Sequence, residues 1–228
     1  MKKILQLLFE HKTLDRTAAK EVLMHIGQGI YNEHEVTAFM TVFLMRSITI
    51  EELQGFQDAL MELCVKADLK DFETIDIVGT GGDGKNTFNI STIACFIVAG
   101  AGQMVAKHGN YGASSISGAS NVMEALGYRF SNDNEKLKRE MEIANICFLH
   151  APLFHPALKV VGPIRKNLAM RTFFNMLGPM ANPALPNFQL VGVYSLEMAR
   201  VYNYLLQKTG RPFTIIHSLD GYDEISLT

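Results

Sequence analysis

Two glycine-bearing segments hold most of the residues able to do chemistry. The first, DIVGTGGDGKNTFNIST (residues 76–92), sets Gly79, Gly81, Gly82 and Gly84 between an apolar, β-branched run and an apolar helical one. Glycine reaches positive φ and lets a ligand approach the main chain closely. The N–H groups of such a loop, with those of a helix N-terminus, make an anion site. Asn89, Ser91 and Thr92 add side-chain donors at that terminus. The plain alternative is a tight glycine turn with Ser91 as an ordinary N-cap. The segment matches neither the Walker A nor the G-x-G-x-x-G fingerprint. Asp83 would repel a bare phosphate. It suits a sugar phosphate, whose hydroxyls can donate to it, or a neighbouring metal ion.

The second segment, VAKHGNYGASSISGAS (residues 105–120), puts Lys107 and His108 at the end of a strand-like run, followed by Gly109, Asn110, Gly112, Ser114, Ser115 and Ser117. Open parallel sheets bind ligands in polar loops at the carboxyl ends of their strands. Lys107 would supply a point charge to a phosphate and the serines hydrogen bonds. Singly, a lysine is more often a surface charge and a histidine a structural one, but two such loops in consecutive units open on the same sheet edge. Asp223 and Glu224 stand side by side after a later strand-like run. Adjacent carboxylates repel unless solvated or bridged by a cation, and Mg²⁺ takes only one or two protein carboxylates. Arg165 and Arg171 occur in PIRKNLAMRTFFN. Either could clamp a carboxylate, or lie on a helix surface.

The elements that must hold these residues fall into two patterns. Residues 1–70 read as helices: Ile4, Leu7 and Leu8 recur at helical spacing, and Asp15, Asn32 and Thr49 precede helical runs, with Glu52 completing a capping box after Thr49. From residue 71 to 228, strand-like runs (TIDIV, QMVAKH, YRF, ICFLHA, FQLVGVY, PFTIIHSL) alternate with helical stretches. This alternation predicts an α/β domain with a mostly parallel sheet covered on both faces. Residues 155–184 carry prolines and no strand signal, so they either rejoin the helical domain or form an excursion over the sheet. The final strand is followed only by an acidic loop, whereas a parallel sheet usually continues with another helix and strand. The expectation is therefore a chain truncated at its C-terminus.

Composition narrows the classes. With 48 % hydrophobic and 19 % charged residues, the 228-residue chain reads as an ordinary globular protein. A net charge of −2 argues against a general nucleic-acid binder. Cys64, Cys95 and Cys147 are widely spaced in apolar surroundings, which predicts free thiols in the cytoplasm. The N-terminus lacks a signal-peptide pattern. The longest apolar run of the chain, residues 93–101, is too short to cross a bilayer.

Taken together, GTGGD followed by NIST, KHGN followed by SS and SG, the HPA…PIRK…RT.FN.LGP..NP run and the terminal DE resemble the anthranilate phosphoribosyltransferase family of tryptophan biosynthesis. The resemblance spans nearly the whole chain, with the motifs in order. It implies a small helical domain joined to a larger α/β domain with the site in the cleft between them, and a homodimer formed through the helical parts. The implied reaction joins 5-phosphoribosyl 1-diphosphate (PRPP) and anthranilate with Mg²⁺. By motif, Gly79, Gly82, Asp83, Thr87, Asn89, Ser91, Thr92, Lys107, His108, Gly109, Asn110, Tyr111, Gly112, Ala113, Ser114, Ser115 and Ala119 would line the substrate site. Ser91, Asp223 and Glu224 would hold magnesium. Lys107 would stabilise the leaving diphosphate, and Arg165 would meet the anthranilate carboxylate. Gly79 and Asn110 would also touch anthranilate, with His108, Pro152 and His155 along its path. Tyr111 stands where many members have Arg, and Ala119 where many have Ser. Two alternatives accompany this reading: a pyrimidine nucleoside phosphorylase-like enzyme, and a catalytically silent binding relative.

Overall fold

The computed structural model describes residues 1–81, 83–85, 87–112 and 117–226. In chain order its elements are α1 (Lys2–Phe9), α2 (Arg16–Gly27), α3 (Glu33–Met45), α4 (Ile50–Leu63), β1 (Thr74–Gly79), α5 (Ile90–Gly100), β2 (Met104–Gly109), α6 (Ala119–Ala125), α7 (Asn134–Ala144), β3 (Ile146–His150), α8 (Ala151–Phe154), α9 (Leu158–Leu168), α10 (Phe174–Leu177), β4 (Phe188–Gly192), α11 (Leu196–Gln207) and β5 (Phe213–Ile216). They form two compact units. One comprises Met1–Val65 and His155–Ala181, the other Lys66–Phe154 and Asn182–Thr228.

The helical unit is built by local signals. Asp15 Oδ1 accepts from Ala18 N at 2.7 Å to open α2. Asn32 with Glu35, and Thr49 with Glu52, close reciprocal capping boxes on α3 and α4, satisfying N–H groups that a helix start leaves orphaned. Phe39, Phe43 and Phe56 from α3 and α4 then meet Phe173, which stacks on Phe56 with centroids 4.5 Å apart. This aromatic contact, with α9 packed against α2 and α3, returns residues 155–181 to the helical unit. Glu52 of α4 is fully buried in this unit. Its carboxylate takes Arg46 Nη2 at 2.5 Å and Leu14 N at 3.0 Å, so the charge enters the core with its partners.

In the α/β unit every strand pairing is parallel, and among the described residues the sheet has five strands in the order β3-β2-β1-β4-β5. Neighbouring residues of a strand face opposite sides. Val105 therefore packs with Ile77, Cys95 and Ala99 beneath α5, while Ala106 packs with Leu137, Met141, Cys147 and Leu149 beneath α7. The run YRF (residues 128–130) is not a strand; Tyr128 and Phe130 instead lay their rings against Phe148. The strand order reverses between β1 and β4, so the chain leaves their carboxyl ends in opposite directions. That divergence opens a crevice, which is where open sheets of this kind bind ligands.

Candidate functional site

The crevice is floored by glycine. Gly79 ends β1 level with Gly192, which ends β4, and Gly192 lies level with Ile216 at the end of β5. The loop after β5 folds back over this floor. A Cβ on Gly79 would lie 2.7 Å from Asp223 Oδ2, and one on Gly192 only 1.8 Å from the Asp223 carbonyl oxygen. The Gly192 clash is with main chain and requires glycine there, whereas at Gly79 the Asp223 carboxylate would have to swing aside. In return, Asp223 Oδ2 accepts the Gly81 N–H at 3.0 Å.

Two further bonds draw separate loops together. Asn89 caps α5, its Oδ1 accepting from Thr92 N at 2.9 Å, while its Nδ2 donates to the Ser117 carbonyl at 2.7 Å. Ser91 is not the N-cap but sits in the first turn of α5, and its hydroxyl donates to Glu224 Oε1 at 3.2 Å. The turns after β1, β2 and β5 are thus tied to one another. Gly79, Asp83, Asn89, Ser91, Thr92, Asp223 and Glu224 gather there. Asn110, Tyr111 and Gly112 follow β2, and Thr87 is exposed on the first loop. Gly82, Ala113, Ser114 and Ser115 lie outside the described residues.

The electrostatics of this gathering are unsettled. Burial first, then the neighbouring Asp223, pushes the Glu224 carboxyl up to about 7, against the Ser91 hydroxyl and the Lys107 charge. Burial, then Asp83, raises Asp223, opposed by the Gly81 N–H. Three carboxylates beside a loop rich in N–H donors call for a cation. Among the described residues no three His, Cys, Asp or Glu side chains are grouped so as to hold a metal ion by themselves. The donors present are hard oxygens, few in number. They fit Mg²⁺, which keeps several waters and shares its shell with phosphates.

Lys107 is placed differently from a surface phosphate contact. It is 3 % exposed, and its Nζ donates to the Ile77 carbonyl at 2.6 Å. Its charge reaches both Glu224 and the buried Asp76, whose carboxyl burial raises and Lys107 lowers. Asp76 Oδ1 also accepts from the His108 main chain at 3.3 Å, and His108 is itself buried. Three residues that pattern-reading missed belong here. Gly192 makes room for Asp223. Asp76 offsets Lys107 inside the sheet. Lys85 holds its Nζ over the Tyr222 ring at 4.5 Å, beside the acidic loop. Only Lys85 left a signal in the sequence, a cation inside the glycine loop.

In the helical unit, Arg165 sits near the end of α9. Its Nη2 donates to Asn175 Oδ1 at 3.4 Å and its guanidinium lies 5.5 Å from the centroid of the Phe174 ring. Burial lowers its pKa, and among the described residues no carboxylate pairs with it. His155 is buried in the same unit, its Nε2 2.7 Å from the Ala181 carbonyl oxygen. Pro152 lies in α8 of the α/β unit.

Comparison with known proteins fits this geometry. Residues 71–228 match the α/β domain of a glycosyl transferase family, and residues 2–64 its helical bundle domain. The chain is 62 % identical to the anthranilate phosphoribosyltransferase of Christiangramia forsetii and 64 % identical to that of Flavobacterium johnsoniae, in each case over 100 % of this chain and 69 % of the relative. The anthranilate phosphoribosyltransferase structure from Thermus thermophilus superposes with a TM-score of 0.88 at 33 % identity, covering 98 % of this chain and 68 % of that one. The Saccharomyces cerevisiae enzyme in complex with PRPP and Mg gives 0.87 at 30 % identity, covering 97 % of this chain and 66 % of the other. The chain belongs to the anthranilate phosphoribosyltransferase family.

Proposed function

We propose that this chain transfers the 5-phosphoribosyl group of PRPP to the amine of anthranilate, giving N-(5-phosphoribosyl)anthranilate and diphosphate, as a step of tryptophan biosynthesis. The observation that carries the reading is the tie between three turns. Asn89 to Ser117, Gly81 to Asp223 and Ser91 to Glu224 bring an N–H-rich loop, a second polar loop and a carboxylate pair to one crevice. A diphosphate ester needs all three.

Displacement at the anomeric carbon builds negative charge on the departing diphosphate. N–H groups of the loop after β1 and of the start of α5 would stabilise it, each well-placed donor being worth about 3 kcal/mol. Lys107, buried behind this loop, adds positive potential from beneath, held there by its bond to the Ile77 carbonyl. Ser91, Asp223 and Glu224 would hold Mg²⁺, which when bound neutralises diphosphate charge. The anthranilate nitrogen is a neutral nucleophile, so no strong base is assigned. Arg165, half-desolvated and without a carboxylate partner among the described residues, suits the anthranilate carboxylate.

Exposed Phe9, Leu44 and Met45 on α1 and α3 support a homodimer formed through the helical unit. Three buried free thiols suit a reducing cytoplasm. Among the described residues no helix is long and apolar enough to cross a membrane. The test is loss of anthranilate fluorescence on adding PRPP and Mg²⁺. Release of free base from thymidine or uridine with phosphate, and no anthranilate consumption, would move the chain to the phosphorylase reading.

A further inference from the structure

The end of β3 carries a cluster that the reaction outlined above does not use. His150 lies level with Gly109 of β2, is 6 % exposed, and holds its Nδ1 2.8 Å from the hydroxyl of fully buried Ser120 in the first turn of α6. The Phe130 ring stacks on the imidazole at 4.1 Å and 10°, and Tyr111 meets it edge-on at 5.1 Å. Tyr111 is anchored in turn by its hydroxyl, which donates to Glu124 Oε1 at 2.6 Å. Phe130 of the YRF run and Tyr111, both unaccounted for by sheet pattern, thus clad one histidine.

What this clad pair touches is the turn after β2. The Ser120 N–H donates to the Asn110 carbonyl at 3.1 Å, and the Gly112 N–H to Asn121 Oδ1 at 3.0 Å. The Asn110 side chain folds back so that its Oδ1 accepts the Tyr111 N–H at 2.8 Å. Ser120 therefore bonds the turn with its main chain and His150 with its side chain. Burial lowers the His150 pKa, against Glu124, which favours the neutral imidazole.

We propose that His150 and Ser120 are a positioning pair that sets the Asn110–Gly112 turn for the phosphoribosyl diphosphate, with Phe130 and Tyr111 fixing the imidazole plane. The inference rests on the reading of the site given above. A hydrogen bond held in a low-dielectric, aromatic wall confines Ser120 more tightly than packing does.

The test is calorimetric titration of the full chain with PRPP in the presence of Mg²⁺, alongside thermal melting. His150→Phe keeps the ring stack and removes the nitrogen. His150→Asn gives up the stack but keeps a polar atom where Nδ1 stood. The pair predicts that His150→Phe and Ser120→Ala each weaken PRPP binding about tenfold, the loss of one hydrogen bond's worth of order. It predicts that the double variant is no weaker than either single one, as for coupled neighbours, and that His150→Asn recovers most of the affinity while melting lower than His150→Phe. A merely structural histidine predicts the reverse order, with Phe binding as wild type and Asn the worse. That result overturns the inference. A wild-type chain that binds no PRPP overturns the site reading and this inference with it. A wild type that binds, beside a His150→Phe variant that binds equally, overturns the inference alone.

Discussion

Gly192→Ala perturbs the site through a single methyl group. The added Cβ would lie 1.8 Å from the Asp223 carbonyl oxygen and 2.9 Å from its carbonyl carbon, where ordinary contact begins at 3.4 Å. The clash is with main chain, so no rotamer relieves it, and the Asp223 segment must retreat by about 1.6 Å, the difference between 3.4 and 1.8 Å. The bonds that hold the segment run at 3.0 Å to Gly81 N and 3.2 Å from Ser91 Oγ. Neither survives such a shift, and bonds to charged groups are worth about 1.5–3 kcal/mol each. A misplacement of about 1 Å costs on the order of 10²-fold in rate. We expect kcat/KM for PRPP to fall about a hundredfold, with a higher Mg²⁺ requirement and an anthranilate KM changed much less. The strand itself should hold, because alanine orders the unfolded chain by about 0.4–1 kcal/mol relative to glycine where the backbone allows it. Steady-state fluorescence assays with Mg²⁺ titrations, beside thermal melts, read all of this. A Gly192→Ala enzyme that keeps wild-type PRPP and Mg²⁺ dependence would refute the claim that Asp223 must sit on the strand ends.

Three further outcomes follow from the same geometry. Arg165→Ala should raise the KM for anthranilate about 10–100-fold, the worth of a charge-assisted bond, and leave the PRPP KM nearly untouched; equal effects on both substrates would remove Arg165 from the carboxylate role. Asn89→Ala removes a helix cap worth about 1 kcal/mol together with the bond to Ser117, so it should lower PRPP affinity beyond what its melting shift explains, as titration calorimetry would show. Burial works to raise the Glu52 carboxyl, but bonds from Arg46, Leu14 N and Thr49 N outweigh it and leave the pKa lowered. A depressed folded-state value stabilises above the ordinary carboxylate range and loses that stability as pH falls through it. Glu52→Gln should thus cost about 3 kcal/mol at neutral pH, and its melting gap from wild type should narrow in acid.

Local signals made the helical unit and the strand rhythm legible. Asp15, Asn32 and Thr49 cap helices because their oxygens satisfy N–H groups within three residues, a range that a sequence window covers. Residues 155–184 were ambiguous because Pro163 stands inside α9 and the segment's partners, among them Phe39 and Phe56, lie far upstream. The plain alternative of Ser91 as N-cap of α5 does not hold: Asn89 is the cap, and the Ser91 hydroxyl turns to Glu224, a contact no local pattern contains. The same reason hid Gly192, whose surroundings read only as a β-branched strand, and the burial of Lys107, which the sheet's alternation turns inward onto Ile77. Motif spacing identified the loops; only the tertiary fold shows what keeps them together.

On the proposed function, the turns after β1, β2 and β5 make a single site for a diphosphate ester. Crystals of the chain grown with PRPP and Mg²⁺ test it most directly. Difference density for the diphosphate is expected against residues 79–92 and Asn110–Gly112, with metal density at Asp223 or Glu224. Ligand density elsewhere on the molecule, with these turns unchanged and without ligand, would contradict it.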